Sequence, residues 1–117
     1  MDNLSKIVIG AAIFLLGQTI AWGQVNLQFV WKWAKDHPFW MALLLGFPIG
    51  YSYIYATKFI TEGFDGSIWP ARLIGFATGI ISFAFLTYLL LNENITLKTI
   101  ITLVLATAIV LIQVLWK

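Results

Sequence analysis

Cysteine is absent from the 117 residues, and that absence removes disulfides, thiolate nucleophiles and thiolate metal ligands together. Charge is scarce as well: the chain has five carboxylates, seven cations with a single arginine (Arg72) among them, and one histidine (His37). Asp2, Asp36, Glu62, Asp65 and Glu93 all fall in joints or at the ends of apolar runs. No carboxylate is therefore placed at mid-membrane depth, where one group would both attract a cation and exchange a proton. His37, alone between Asp36 and Pro38, lacks the further ligands of a metal site. No nucleophile stands beside a base, and no phosphate-binding glycine loop occurs. No enzymatic activity, metal or cofactor is expected, and a dispersed net charge of +2 argues against nucleic acid as a partner.

What is present is four strongly apolar runs, Ile7 to Trp31, Phe39 to Phe59, Ile68 to Leu91 and Ile95 to Trp116. Each matches the ~20 residues with which a helix crosses a ~30 Å hydrocarbon core. A soluble bundle would show an apolar stripe and a charged face on every helix, whereas these runs are apolar on most sides. Backbone groups inside a bilayer must satisfy one another, which leaves the helix as the spanning element. The expected fold is all-α: one domain, residues 1–117, forming a four-transmembrane-helix bundle with both termini on one side. The first run resembles a secretory signal at its start, but continues past Ala21 without a small-x-small cleavage pattern, so it is read as a retained helix. Trp31, Trp33, Trp40, Trp69 and Trp116 mark the run ends, where indole rings favour the membrane–water interface. Trp22 lies well inside the first run and calls for another explanation.

The joints, Lys32 to Pro38, Thr61 to Ser67 and Asn92 to Asn94, are short enough to make consecutive helices antiparallel neighbours. Pro38 and Pro70 suit the first turns of the second and third helices, where a missing N–H costs nothing, and Gly63 and Gly66 ease the turn between those helices. Lys6, Lys58, Arg72 and Lys117 lie on the side of the termini, and Lys32, Lys35 and Lys98 on the other. Four against three is almost no positive-inside bias, so a single orientation and insertion both ways remain equal alternatives. Asn94-Ile95-Thr96 matches a glycosylation acceptor, but it lies too near two membrane helices and is read as a chance match.

The first run turns polar along one side. Gly17, Ala21, Gln24 and Gln28 follow at steps of four, three and four on one face, which Gly10 extends. Amides in hydrocarbon need partners, so Gln18, Gln24, Asn26 and Gln28 either line a solute path or act as interhelical glue. In the second run Gly46, Pro48 and Gly50 predict a kink that serves as a hinge or stays static. Tyr51 and Tyr55, four residues apart, are placed to meet the amides of the first helix. Gly75 and Gly79 have the spacing that permits close helix contact, within the chain or between copies. Arg72 snorkels, pairs with Asp65 or Glu62, or binds an anion. Thr99, Thr102, Ala106, Thr107 and Ala108 make the fourth helix a plausible contact between protomers.

With four short helices, the stretches GQTIAWGQ (17–24), ATKFITEGFDG (56–66) and LLLNENITLKTIITLVLATAIVLI (89–112) make the chain resemble small members of the drug/metabolite transporter superfamily. That group includes the small multidrug resistance proteins and related families of unassigned function, the latter being the nearest in pattern. Asn92-Glu93 stands where the superfamily often has Gly-Glu. The resemblance implies a four-helix unit paired with a second copy, often inverted, around a cavity. It departs at the first helix, where multidrug carriers have a glutamate and this chain offers Gln18, which cannot exchange a proton. The expectation is a dimeric multi-pass protein of a prokaryotic inner membrane in contact with lipid, its two copies parallel or antiparallel. Gln18, Trp22, Gln24, Tyr51 and Tyr55 would touch a small polar, neutral or lipid-like solute. The alternative is a non-transporting accessory subunit among heteromeric membrane partners; a channel would need many subunits around a pore.

Overall fold

The computed structural model describes residues 2–116; Lys117, counted above with the terminal side, lies outside them. Five α-helices follow one another: α1 (Asn3–Asn26), α2 (Lys32–Asp36), α3 (Pro38–Gly63), α4 (Trp69–Leu91) and α5 (Leu97–Leu115). Among the described residues there is no strand. α1 with its following turn, α3, α4 and α5 are each long and apolar enough to cross a membrane. The chain is a helical membrane protein, and the four-helix bundle expected from the sequence is present.

The helix ends follow local chemistry. Asp2 accepts the Ser5 backbone N–H at 2.7 Å and starts α1. Ser5's hydroxyl and N–H hold that carboxyl below the ordinary aspartate range. Thr96 accepts the Thr99 N–H at 3.3 Å and starts α5. Pro38 and Pro70 occupy the first turns of α3 and α4, and Asn92, at φ 56°, ends α4 in the left-handed region. Between α3 and α4 the chain reverses through Asp65 and Gly66, both at positive φ. Gly63 is not part of that turn: it closes α3 and packs on α1.

The first apolar run divides. α1 stops at Asn26, a single 3-10 turn covers Leu27–Phe29, and the short α2 occupies most of the segment expected as a joint. Trp31, Trp33 and His37 stack in series at this end, with ring centroids 5.2 and 4.6 Å apart. His37 Nδ1 lies 2.7 Å from the Trp33 carbonyl and donates to it. Aromatic rings with polar edges suit this interfacial position.

α1 packs most extensively on α3, next on α4, while α3 and α4 touch little although they are consecutive. α5 rests on α4. The outline is flat, 47 × 35 × 18 Å over the Cα atoms. Phe14, Ala56, Ile60 and Ala71 form the core where α1, α3 and α4 converge.

The α1–α3 seam has a heptad rhythm. Asn3, Ile7, Gly10, Phe14, Gly17, Ala21 and Gln24 alternate steps of four and three. Gly46, Ile49, Tyr53, Ala56, Ile60 and Gly63 run antiparallel to them in steps of three and four. A Cβ on Gly10 would lie 2.5 Å from Ile60 Cγ1 and 3.0 Å from the Ala56 carbonyl oxygen. One on Gly63 would lie 2.6 Å from Ile7 Cγ1 and 2.9 Å from the Asn3 carbonyl oxygen. Glycine at both ends thus sets the distance between the two helices.

Candidate functional site

Gln18 is the polar centre of the bundle. Its Nε2 donates to the Gly75 carbonyl of α4 at 2.9 Å. Its Oε1 accepts from the Tyr53 hydroxyl of α3 at 3.0 Å. One amide therefore ties α1 to both neighbours. Gly79 gives it room, since a Cβ there would meet the amide atoms at 3.0–3.1 Å. Gly75 likewise accommodates the Phe14 ring, whose nearest atoms would be 3.1 Å from a Cβ. The glycine pair of α4 is thus used within the protomer, against α1. Thr78 Oγ1 also donates to the Gly75 carbonyl, at 2.9 Å.

Tyr53 occupies the position expected of Tyr51 and Tyr55. Those two residues lie away from the amides, on the exposed side of α3, their rings 5.0 Å apart and Tyr51 stacked on Phe47 at 5.7 Å. The reason is helical phase: Tyr53 shares the heptad face with Ala56, Ile60 and Gly63, and two residues either way turn the side chain to the opposite side. Lys58 Nζ lies 6.0 Å from the centroid of the Tyr55 ring.

Trp22 is buried, and its indole N–H donates to Thr87 Oγ1 of α4 at 3.0 Å. That bond accounts for a tryptophan deep inside the first helix. Gln24 Nε2 reaches the Ala42 and Met41 carbonyls of α3 at 3.2 and 3.4 Å. Gly46 lies beside Gln24, with 3.8 Å between its Cβ position and Nε2. Asn26 and Gln28, expected to bridge helices if they were glue, instead donate to the Trp22 and Val25 carbonyls of their own segment. They bind carbonyls of the segment where α1 ends. α3 runs unbroken through Pro48 from Pro38 to Gly63, and Gly50 faces open space.

Arg72 is exposed one turn inside α4 and makes no ion pair among the described residues. The carboxylates considered as its partners are engaged elsewhere: Glu62 lies 4.0 Å from Lys6, and Asp65 accepts from the Asn3 amide at 3.3 Å. Arg72 instead lines a hollow of about 430 Å³ between α1 and α4, with Gln18, Phe76, Gly79 and Phe83. A second hollow of about 260 Å³ shares Gln18, Gly79 and Phe83 and continues past Trp22 to Asn26. Together they form a laterally open groove from the Arg72 end of the bundle toward the Asn26 end, with Gln18 at its waist.

No protein-family model, curated protein or solved structure matches this chain.

The sequence singled out Gln18, Trp22 and Gln24, and the structure sets all three on the inner faces of α1. It did not single out Tyr53 or Thr87. The heptad spacing from Gly46 to Gly63 was the signal that finds Tyr53; Thr87 carries no sequence mark of its own.

Proposed function

We propose that this chain is the subunit of a small transporter of the drug/metabolite type in a prokaryotic inner membrane. It moves a small polar, neutral or lipid-like solute, without a proton carried by the protein, and works as a dimer. The observation that carries this reading is the groove along α1 and α4 with a single amide fixed at its waist. Gln18 is held from two sides, yet one N–H and one lone pair of its amide remain for a solute. A polar group positioned beforehand needs little ordering when a solute arrives. The flanking surface is apolar and opens sideways to lipid, which suits an amphiphile better than an ion. The resemblance of the helix 17–24 and 89–112 stretches to the transporter superfamily supports the same class.

The test is flux in proteoliposomes, using fluorescent lipid analogues and labelled polyols as two solute panels. Gln18→Leu removes the acceptor of Tyr53, so the paired variant Gln18→Leu/Tyr53→Phe serves beside it, because removing both partners of a buried bond is nearly neutral for stability. Transport is expected to vanish in both variants while helicity and melting of the pair stay at parental levels. Parental rates in a folded pair would sink the reading.

A second reading, a non-transporting accessory subunit, is favoured by one feature. Of α5 only Ala106 is buried, and the Thr102 and Thr107 hydroxyls bond to carbonyls of their own helix. This leaves a small-residue surface without polar demands, available to another helix. Mass in mild detergent separates the readings: two copies favour the carrier, and unrelated subunits favour the accessory role.

A further inference from the structure

We infer that the Arg72 half of the groove is a site for one lipid with a net-negative phosphate headgroup. The inference deepens the reading above by naming the class of solute. Three observations converge on it. The first is a guanidinium with no ion pair among the described residues: Glu62 lies by Lys6 and Asp65 accepts from Asn3, and neither reaches Arg72. A guanidinium presents a planar fork of donors that matches a phosphate diester.

The second is the lining below it. Phe76, Ile80 and Phe83 continue from Arg72 down the same hollow, on one face of α4 with the glycines at 75 and 79. Phe83 lies eleven positions beyond Arg72, which at ~1.5 Å per residue is about 16 Å. That is close to half of a ~30 Å hydrocarbon core, the depth of one leaflet. A headgroup at Arg72 thus places an acyl chain along the aromatic wall, with its end near mid-membrane.

The third is Gln18, which faces the hollow at a depth where lipid chains alone would offer it nothing. Its amide lies level with Gly75 and Gly79, about 5–10 Å below Arg72 at ~1.5 Å per residue, where its remaining N–H can bind an ester carbonyl or glycerol oxygen of the same lipid. The groove therefore offers a headgroup position at Arg72 and a polar contact for the glycerol region beneath it. A solute without a negative charge would leave Arg72 unneutralised.

The experiment is native mass spectrometry of the full chain released from micelles containing equal phosphatidylglycerol and phosphatidylcholine. One phosphatidylglycerol per chain is expected, retained in preference to phosphatidylcholine. Arg72→Ala should weaken retention at least about tenfold, the worth of a charge-assisted bond. Arg72→Lys should keep part of it, as a point charge without the fork. Lys58→Ala removes a cation of the same membrane end outside the groove and should change nothing. Equal retention of both lipids, or parental retention in Arg72→Ala, overturns the inference and leaves Arg72 a snorkelling residue. Displacement of the lipid by millimolar glycerol 3-phosphate overturns it too, because the headgroup alone would then suffice. Binding and movement are read separately. Phosphatidylglycerol held by Arg72 but never moved across the bilayer sinks the transporter reading alone, and flux of neutral solutes without selective retention sinks this one alone.

Discussion

At the scale of single residues, the polar side chains of this bundle divide by where their partners lie. Gln18, Trp22 and Gln24 reach other helices, whereas Thr19, Asn26 and Gln28 bond to their own segment. Only the first group couples helices, and the Trp22–Thr87 bond is the cleanest case because both side chains are buried. In membrane proteins such bonds contribute about 0.6 kcal/mol on average and rarely above ~1.7. Trp22→Phe and Thr87→Val should each destabilise the bundle by about 1 kcal/mol, with the double variant losing less than the sum. Unfolding in mixed micelles measures the cycle, and strict additivity would deny the bond. That Gln18 and Trp22 matter was legible in the sequence, since amides and indoles inside an apolar run demand partners. Which partners they find was not. Tyr51, Tyr53 and Tyr55 differ in no local property, and only the phase of α3 against α1 selects the middle one.

At the scale of elements, the spanning helices were legible because hydrocarbon imposes their length and composition. The end of α1 was not, because Leu27, Phe29, Val30 and Trp31 continue the apolar pattern past the point where the helix stops. Hydropathy does not distinguish a segment that crosses the membrane from one lying at its surface. Neighbour relations were only partly legible: short joints imply that α3 and α4 pack together, yet each of them packs more on α1 than on the other. Glycines explain this: Gly10 and Gly63 let α1 and α3 approach, and Gly75 and Gly79 of α4 make room for Phe14 and Gln18 of α1. Gly10→Ala should therefore cost about 1–3 kcal/mol, the usual penalty for overpacking, as its Cβ meets the Ala56 carbonyl as well as Ile60. Gly50→Ala has nothing within 4 Å of the new methyl and should stabilise α3 by up to about 1 kcal/mol, as alanine does for glycine in an open helical position. Thermal unfolding of the two variants tests the contrast. Loss of stability in Gly50→Ala would place that glycine in a contact. Lost transport at raised stability would make it the hinge its spacing with Pro48 suggests.

At the scale of the whole molecule, one helix stands apart. α5 rests on α4 and exposes Ile101, Leu105 and Ile112 along one side, with Ala108 on the same face. Lipid tails cover such a face as readily as another helix does, so exposure alone does not imply pairing. Pairing would follow from the dimer proposed above, and the near-balanced charges of the two membrane sides leave its orientation open. The absence of native cysteine makes the question directly measurable, because each introduced thiol is the only one in the chain. Where two copies of α5 pack in parallel, every position on the face meets its own counterpart. Where they pack antiparallel, partners satisfy a constant sum of residue numbers, so only positions near the helix middle meet themselves. Leu105→Cys and Ala108→Cys should cross-link in either arrangement. Ile101→Cys and Ile112→Cys should each cross-link alone only in a parallel pair, and in an antiparallel pair only when the two variants are mixed. Four cations against three admit both patterns: the first would fix a single orientation, and the second insertion both ways. Absence of cross-links at all four positions in native membranes would remove α5 as the contact between copies.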